Sequence, residues 1–189
     1  MGELFYKNKY RIPSARLEGW DYGSHGFYFV TICVREMKCV FVGIHNNIMC
    51  LNRLGATAQQ CWQEIPRHFP FVQLCEFIVM PNHVHGVLEI CDGSQNVVET
   101  QDFASLHETN QPYKNKFGPQ SKNIASIIRG FKIGVTKYAR NNNIEFQWQP
   151  RFYDHIIRNE SALYNIREYI RQNPAKWHRD RNNKTGIFM

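Results

Sequence analysis

Residues Phe77 to Ile90 constrain the fold more than any other stretch of the chain. Two apolar runs, Phe77 to Met80 and His83 to Ile90, flank Pro81-Asn82. That order reads as two strands folded back on each other through a tight turn. Alternate residues of a strand share a face, so His83 and His85 project side by side while Val84 points the other way, into a core. Two neutral imidazoles so placed can hold one divalent metal and leave coordination positions open. The competing reading of a lone His-x-His is two histidines lining a wet sheet face.

The rest of the chain narrows what such a strand pair can belong to. At 189 residues the chain is long enough for one domain with its own core. No apolar run approaches the roughly 18 residues of a membrane span, and the first ten residues lack the apolar core of a secretory signal. The expected location is cytoplasmic, with no membrane partner. Cys33, Cys39, Cys50, Cys61, Cys75 and Cys91 form no Cys-x-x-Cys pair, so reduced structural thiols are expected. The net charge of +7 is uneven: residues 121–184 hold thirteen Lys and Arg against five Asp and Glu. This third carries the whole excess, as a nucleic-acid surface would; a solvated basic face is the alternative. Arg129, Lys132, Arg151, Arg158, Arg171 and Lys176 are the candidate phosphate contacts.

In chain order, residues 1–25 read as an irregular basic arm. Phe27 to Val34 is rich in β-branched and aromatic residues and reads as a strand. Cys39 to Ile44 and Ile48 to Leu51 read as a small hairpin. Asn52 can cap a helix from Arg53 to about Ile65, stopped by Pro66. Phe71 to Met80 and His83 to Cys91 are the strands around the histidine turn. Residues 92–120 are polar and read as an exposed insertion. Ser121 can cap a helix to about Asn141, Arg151 to Ile157 alternates as a strand, and Asn159 can cap a last helix ending before Pro174. Residues 176–189 then read as a short basic tail. Without the small hairpin and the last helix, the order is βαββαβ. That is an α+β, ferredoxin-like antiparallel sheet with helices on one face, and the histidines are expected on the other.

The last helix supplies the second half of a candidate site. Leu163, Ile166 and Ile170 form its buried stripe. At 100° per residue, Tyr169 falls at the edge of that stripe, with Asn173 four residues further along the same side. A phenol is a weak nucleophile, yet it can attack a phosphodiester whose charge a metal neutralises. An amide oxygen from Asn173 could complete a His-His-Asn metal set. Packing at a core edge is the plainer reading of Tyr169 alone.

Taken together, Val-Met-Pro-Asn-His83-Val-His85-Gly, then Trp-Gln-Pro-Arg-Phe-Tyr-Asp-His155-Ile-Ile-Arg, then Tyr169-Ile-Arg-Gln-Asn173-Pro resemble the single-tyrosine HUH transposases. The nearest resemblance is to the REP-associated tyrosine transposases and IS200-like proteins, over roughly Pro13 to Trp177. The resemblance implies a ferredoxin-like HUH endonuclease domain in which His83 and His85 bind Mg²⁺ or Mn²⁺, with Asn173 as an amide-type third ligand. It implies that Tyr169 attacks single-stranded, hairpin-bearing DNA, forming a 5′-phosphotyrosine and freeing a 3′-hydroxyl. His155 occupies a recurrent family position without an assigned role. Tyr169 serves its own chain or a partner's in a homodimer; both arrangements occur in related proteins. The alternative function is a non-catalytic, domesticated DNA-hairpin-binding protein.

Overall fold

The computed structural model of the chain describes residues 17, 19–45, 48–91, 122–180 and 182–183. The insertion expected over 92–120, the first sixteen residues of the arm and the last six of the tail lie outside them. The described elements are β1 (Gly26–Cys33), β2 (Val42–His45), β3 (Ile48–Leu51), α1 (Arg53–Gln63), α2 (Ile65–His68), β4 (Val72–Val79), β5 (His83–Ile90), α3 (Ile124–Asn141), β6 (Tyr153–Ile157) and α4 (Glu160–Gln172). A 3₁₀ segment, Pro174–Arg179, follows α4.

The main sheet has the order β4-β5-β1-β6, with every neighbouring pair antiparallel. Leaving out the β2–β3 ribbon and α4, this is the βαββαβ ferredoxin-like arrangement, as the sequence order implies. Alternation along β1 divides its side chains between two faces. Tyr28, Val30 and Ile32 join Leu54, Ala58 and Trp62 of α1 and Ile124, Ile127, Ile128, Phe131 and Val135 of α3 in the main core. Phe27 and Phe29 point the other way, and with Val87 and Ile157 they pack against Leu163 and Ile170 of α4. Full burial of a Leu or Ile side chain contributes roughly 1.5–3 kcal/mol, so this small second core holds α4 on the sheet.

Gly86 lets the main core close over β5. A Cβ there would stand 2.3 Å from Trp62 Cζ2, and the Trp62 ring is sandwiched by Phe77, stacked at 4.5 Å between centroids. Gly134 does the same for the α1–α3 crossing, where a Cβ would meet Cys61 Sγ at 2.9 Å.

Three boundaries differ from the sequence reading. The cap of α3 is Asn123, whose side chain accepts from Ser126 N–H while Ser126 Oγ accepts from Asn123 N–H; the helix therefore begins at Ile124 rather than near Ser121. Pro66 does not end the helical stretch: it sits in the first turn of α2, where a missing N–H costs nothing. The start of the short basic tail continues the helical chain. Pro174 opens the 3₁₀ segment, and fully buried Trp177 anchors it. Among the described residues, no helix is long and apolar enough to cross a membrane.

Candidate active site

The turn before β5 builds the site. Met80 N–H donates to the His83 carbonyl at 2.8 Å, closing the chain around Pro81 and Asn82 and setting His83 as the first residue of β5. Strand alternation then puts His83 and His85 on the α4 face, 0% and 2% exposed. Their Nε2 atoms converge at 2.9 Å.

Hydrogen bonding fixes the state of one ring. The Asn82 Nδ2 donates to the Met37 carbonyl at 3.0 Å and to the Asn182 carbonyl at 2.7 Å, which sets the orientation of its amide. Its Oδ1 therefore faces His83 Nδ1, at 2.8 Å. A carbonyl oxygen only accepts, so His83 Nδ1 carries a proton, and in the neutral ring Nε2 is the lone-pair nitrogen aimed at His85. The His85 Nδ1 lies 2.9 Å from Thr31 Oγ1. A hydroxyl both donates and accepts, so Thr31 supports either tautomer of His85. With Nδ1–H donating to Thr31, both Nε2 lone pairs point into the same space.

That geometry fits a divalent cation. Two cis ligands about 2.1 Å from an octahedral ion stand about 3 Å apart, close to the Nε2 separation. An outer partner on each ring's other nitrogen is the usual support for a metal-bound histidine. A carboxylate completes the cluster: Asp180 Oδ2 lies 4.0 Å from His83 Nε2, and the ligand atoms of His83, His85 and Asp180 all lie within 4.8 Å of one another.

The second half of the site comes from α4. Asn159 caps the helix by accepting from Ala162 N–H, and the Leu163–Ile170 stripe sets its rotation on the sheet. Tyr169 is left at the stripe's edge and about half exposed. Its hydroxyl reaches to 3.3 Å from His85 Nε2. The ring stands edge-on to Phe29, 6.3 Å between centroids, and Phe29 in turn stacks on His85 at 5.4 Å. One chain thus supplies both the histidine pair and the tyrosine beside it.

Asn173 terminates α4 one turn beyond Tyr169 and is 3% exposed. Its Nδ2 has no hydrogen-bond partner among the described residues. His155 is exposed on β6, paired across the strands with Phe29.

The six candidate phosphate contacts do not form one surface. Arg129, Lys132 and Arg151 line a groove of about 800 Å³ along α3, together with Lys137 and Arg140. Lys132 is partly engaged there: its Nζ donates to the carbonyls of Gln149 at 2.7 Å and Arg151 at 2.8 Å, and burial lowers its pKa to about 8. Arg158, Arg171 and Lys176 do not line that groove. Arg171 pairs with Glu76 and Glu168, and Lys176 donates to Gln172 at 2.6 Å.

Asp180 was not among the sequence candidates. It sits in a basic stretch with no apolar period, and only the turn at Pro174 and the burial of Trp177 bring it to the histidines.

A buried histidine pair on a ferredoxin-like sheet, with a tyrosine helix laid across it, defines the class of this domain. No protein-family model matches the chain. It is 44% identical over 168 residues to a Haemophilus influenzae protein named only as uncharacterized, covering 88% of this chain and 90% of that one. A second protein of that organism, provisionally named a REP-associated tyrosine transposase, is 26% identical over 158 residues, covering 82% of this chain and 74% of its own. The fold also matches the solved structure of a REP-associated tyrosine transposase bound to a REP hairpin. That match has a TM-score of 0.51 at 19% identity and covers 90% of this chain and 74% of the other. The chain thus shares the fold of a REP-associated tyrosine transposase and is similar in sequence to a protein provisionally named as one.

Proposed function

We propose that the protein is a metal-dependent endonuclease and strand transferase acting on single-stranded, hairpin-bearing DNA. The observation that carries this reading is the 3.3 Å approach of the Tyr169 hydroxyl to His85 Nε2, within one chain.

In this reading His83 and His85 hold Mg²⁺ or Mn²⁺, with Asn173 as an amide ligand one helical turn beyond the nucleophile. The bound ion supplies charge neutralisation on the scissile phosphate and its attacking oxygen. Tyr169 is the nucleophile. Its phenolic oxygen forms a bond to phosphorus as the bond from phosphorus to the 3′-oxygen breaks. The product is a 5′-phosphotyrosine and a free 3′-hydroxyl, and the proton lost by the phenol balances the one gained by the leaving oxygen. Half exposure of Tyr169 leaves the phosphate a path to it, and the edge-on Phe29 ring limits its swing. The reverse step, with another 3′-hydroxyl attacking the phosphotyrosine, joins strands. Substrate hairpins are inferred from the relative solved with a REP hairpin. Arg129, Arg151, Arg158, Arg171, Lys132 and Lys176 are the proposed contacts to phosphate, with Lys137 and Arg140 added from the groove.

Incubation with a hairpin-bearing oligonucleotide library and Mn²⁺, read on a denaturing gel, tests the reading. A covalent protein–DNA band that disappears in His83→Ala is expected. Hairpin binding with no covalent band under any divalent metal would favour the non-catalytic binder instead.

A further inference from the structure

Residues 174–180 and 182–183 turn back beneath the histidine pair rather than leaving the domain. Trp177 is fully buried, with its ring centroid 6.0 Å from that of His83. The Asn182 carbonyl accepts from Asn82 Nδ2 at 2.7 Å, so the same segment braces the residue that sets the His83 tautomer. Asp180 lies between these two anchors. Its Oδ1 accepts from Asn182 N–H at 2.7 Å, a local turn that turns Oδ2 toward His83 Nε2, 4.0 Å away.

A carboxylate placed there needs an explanation. The Asp180 side chain is 7% exposed, and among the described residues no Lys or Arg forms an ion pair with it. A buried charge without a cation is costly. Its Oδ2 shares a pocket with His83 Nε2 and His85 Nε2, the three ligand atoms all within 4.8 Å of one another, and the carboxylate needs a balancing positive charge. A divalent cation among the three ligand atoms would supply it. Two ligands of one ion at about 2.1 Å each can stand up to about 4.2 Å apart, so the 4.0 Å separation of Asp180 Oδ2 and His83 Nε2 would let both residues hold the same ion. Hard cations such as Mg²⁺ and Mn²⁺ favour carboxylate oxygen.

We propose that Asp180 is an anionic ligand of the metal centre, carried by the segment after the tyrosine helix, and that it sets much of the centre's affinity. This inference rests on the metal centre of the proposed function, and its test separates the two.

Mn²⁺ is titrated into the full-length protein without DNA, and free ion is followed by its electron paramagnetic resonance signal. The wild type is expected to bind one ion and His83→Ala to lose it. Asp180→Asn, close in shape, is expected to weaken binding at least tenfold, and Asp180→Glu to recover part of the loss. Equal metal-free melting temperatures would show that the fold is unchanged. Wild-type-like Mn²⁺ affinity in Asp180→Asn would overturn the inference while leaving the histidine centre standing. Wild type and His83→Ala binding Mn²⁺ alike would overturn the centre and Asp180's part in it. Should Asp180→Asn fail to fold, Asp180→Glu decides: an affinity unchanged from wild type, despite the displaced carboxylate, overturns the inference.

Discussion

The side-chain oxygen of Asn82 lies 2.8 Å from Nδ1 of His83, and this contact decides which nitrogen of His83 faces the tyrosine side of the sheet. The Asn82 amide cannot turn over without losing its bonds to the carbonyls of Met37 and Asn182. Outer partners of this kind typically account for 10- to 100-fold in metal affinity. Asn82→Ala is therefore expected to weaken Mn²⁺ binding by about that range, measured by calorimetry on protein whose circular dichroism matches wild type. Unchanged affinity would show that the His83 tautomer does not depend on Asn82.

Gly86 is required by the neighbouring indole rather than by its own backbone. An added methyl would stand 2.3 Å and 2.5 Å from two Trp62 ring carbons, and that ring is 1% exposed between Phe77 and Phe131. Overpacking of this kind costs about 1–3 kcal/mol. Gly86→Ala should lower the urea midpoint accordingly, and a shift within a few tenths of a kcal/mol of wild type would contradict the packing described.

Alkaline stability carries a sign that can be worked out. Burial pushes the Tyr28 phenol from 10.0 up to about 12 and the Cys75 thiol from 9.0 up to about 11. The unfolded chain then releases these protons first, so stability falls as pH climbs from 9 toward 12. Lys132 works the other way: its folded pKa of about 8 lies below 10.5, so its contribution rises between those values. Tyr28→Phe isolates one part. It loses the bond to the Ser24 carbonyl and is less stable near pH 9, and its deficit against wild type should shrink between pH 10 and 12 in urea titrations. A constant deficit would mean that Tyr28 ionises alike in both states.

Basic residues that look equivalent in sequence should separate in DNA binding. Exposed Arg129 lines the α3 groove, so Arg129→Ala is expected to weaken binding across sequences and reduce the salt slope by about one. Lys132 ties α3 to the Gln149 and Arg151 carbonyls, so Lys132→Ala should also lower the melting temperature. Fluorescence anisotropy at several salt concentrations, beside thermal melts, reads both. Equal salt slopes and equal melts for the two variants would contradict the distinction.

The histidine pair and the tyrosine helix were legible because each rests on a period. Alternation in β5 fixes the face of His83 and His85, and the Leu163–Ile170 stripe fixes the rotation of α4, hence Tyr169. Where two local signals competed, sequence alone could not choose: Ser121 and Asn123 are both good caps, and the reciprocal bond with Ser126 favours Asn123. Pro66 breaks one helix, yet it is well tolerated in the first turn of the next. Asp180 depends on a chain reversal held by one buried tryptophan, which no short-range pattern encodes. Counting charges likewise cannot reveal that Arg171 is already paired with Glu76 and Glu168.

The identity of the nucleophile is the central claim, and among the described residues three tyrosines are exposed enough to compete for it: Tyr153, Tyr164 and Tyr169. Nuclease trimming of the covalent protein–DNA species, followed by proteolysis and mass spectrometry of the modified peptide, tells them apart. A 5′-phosphonucleotide on Tyr169, and no adduct from Tyr169→Phe, is the expected result. An adduct on Tyr153 or Tyr164, or one that persists in Tyr169→Phe, would contradict it.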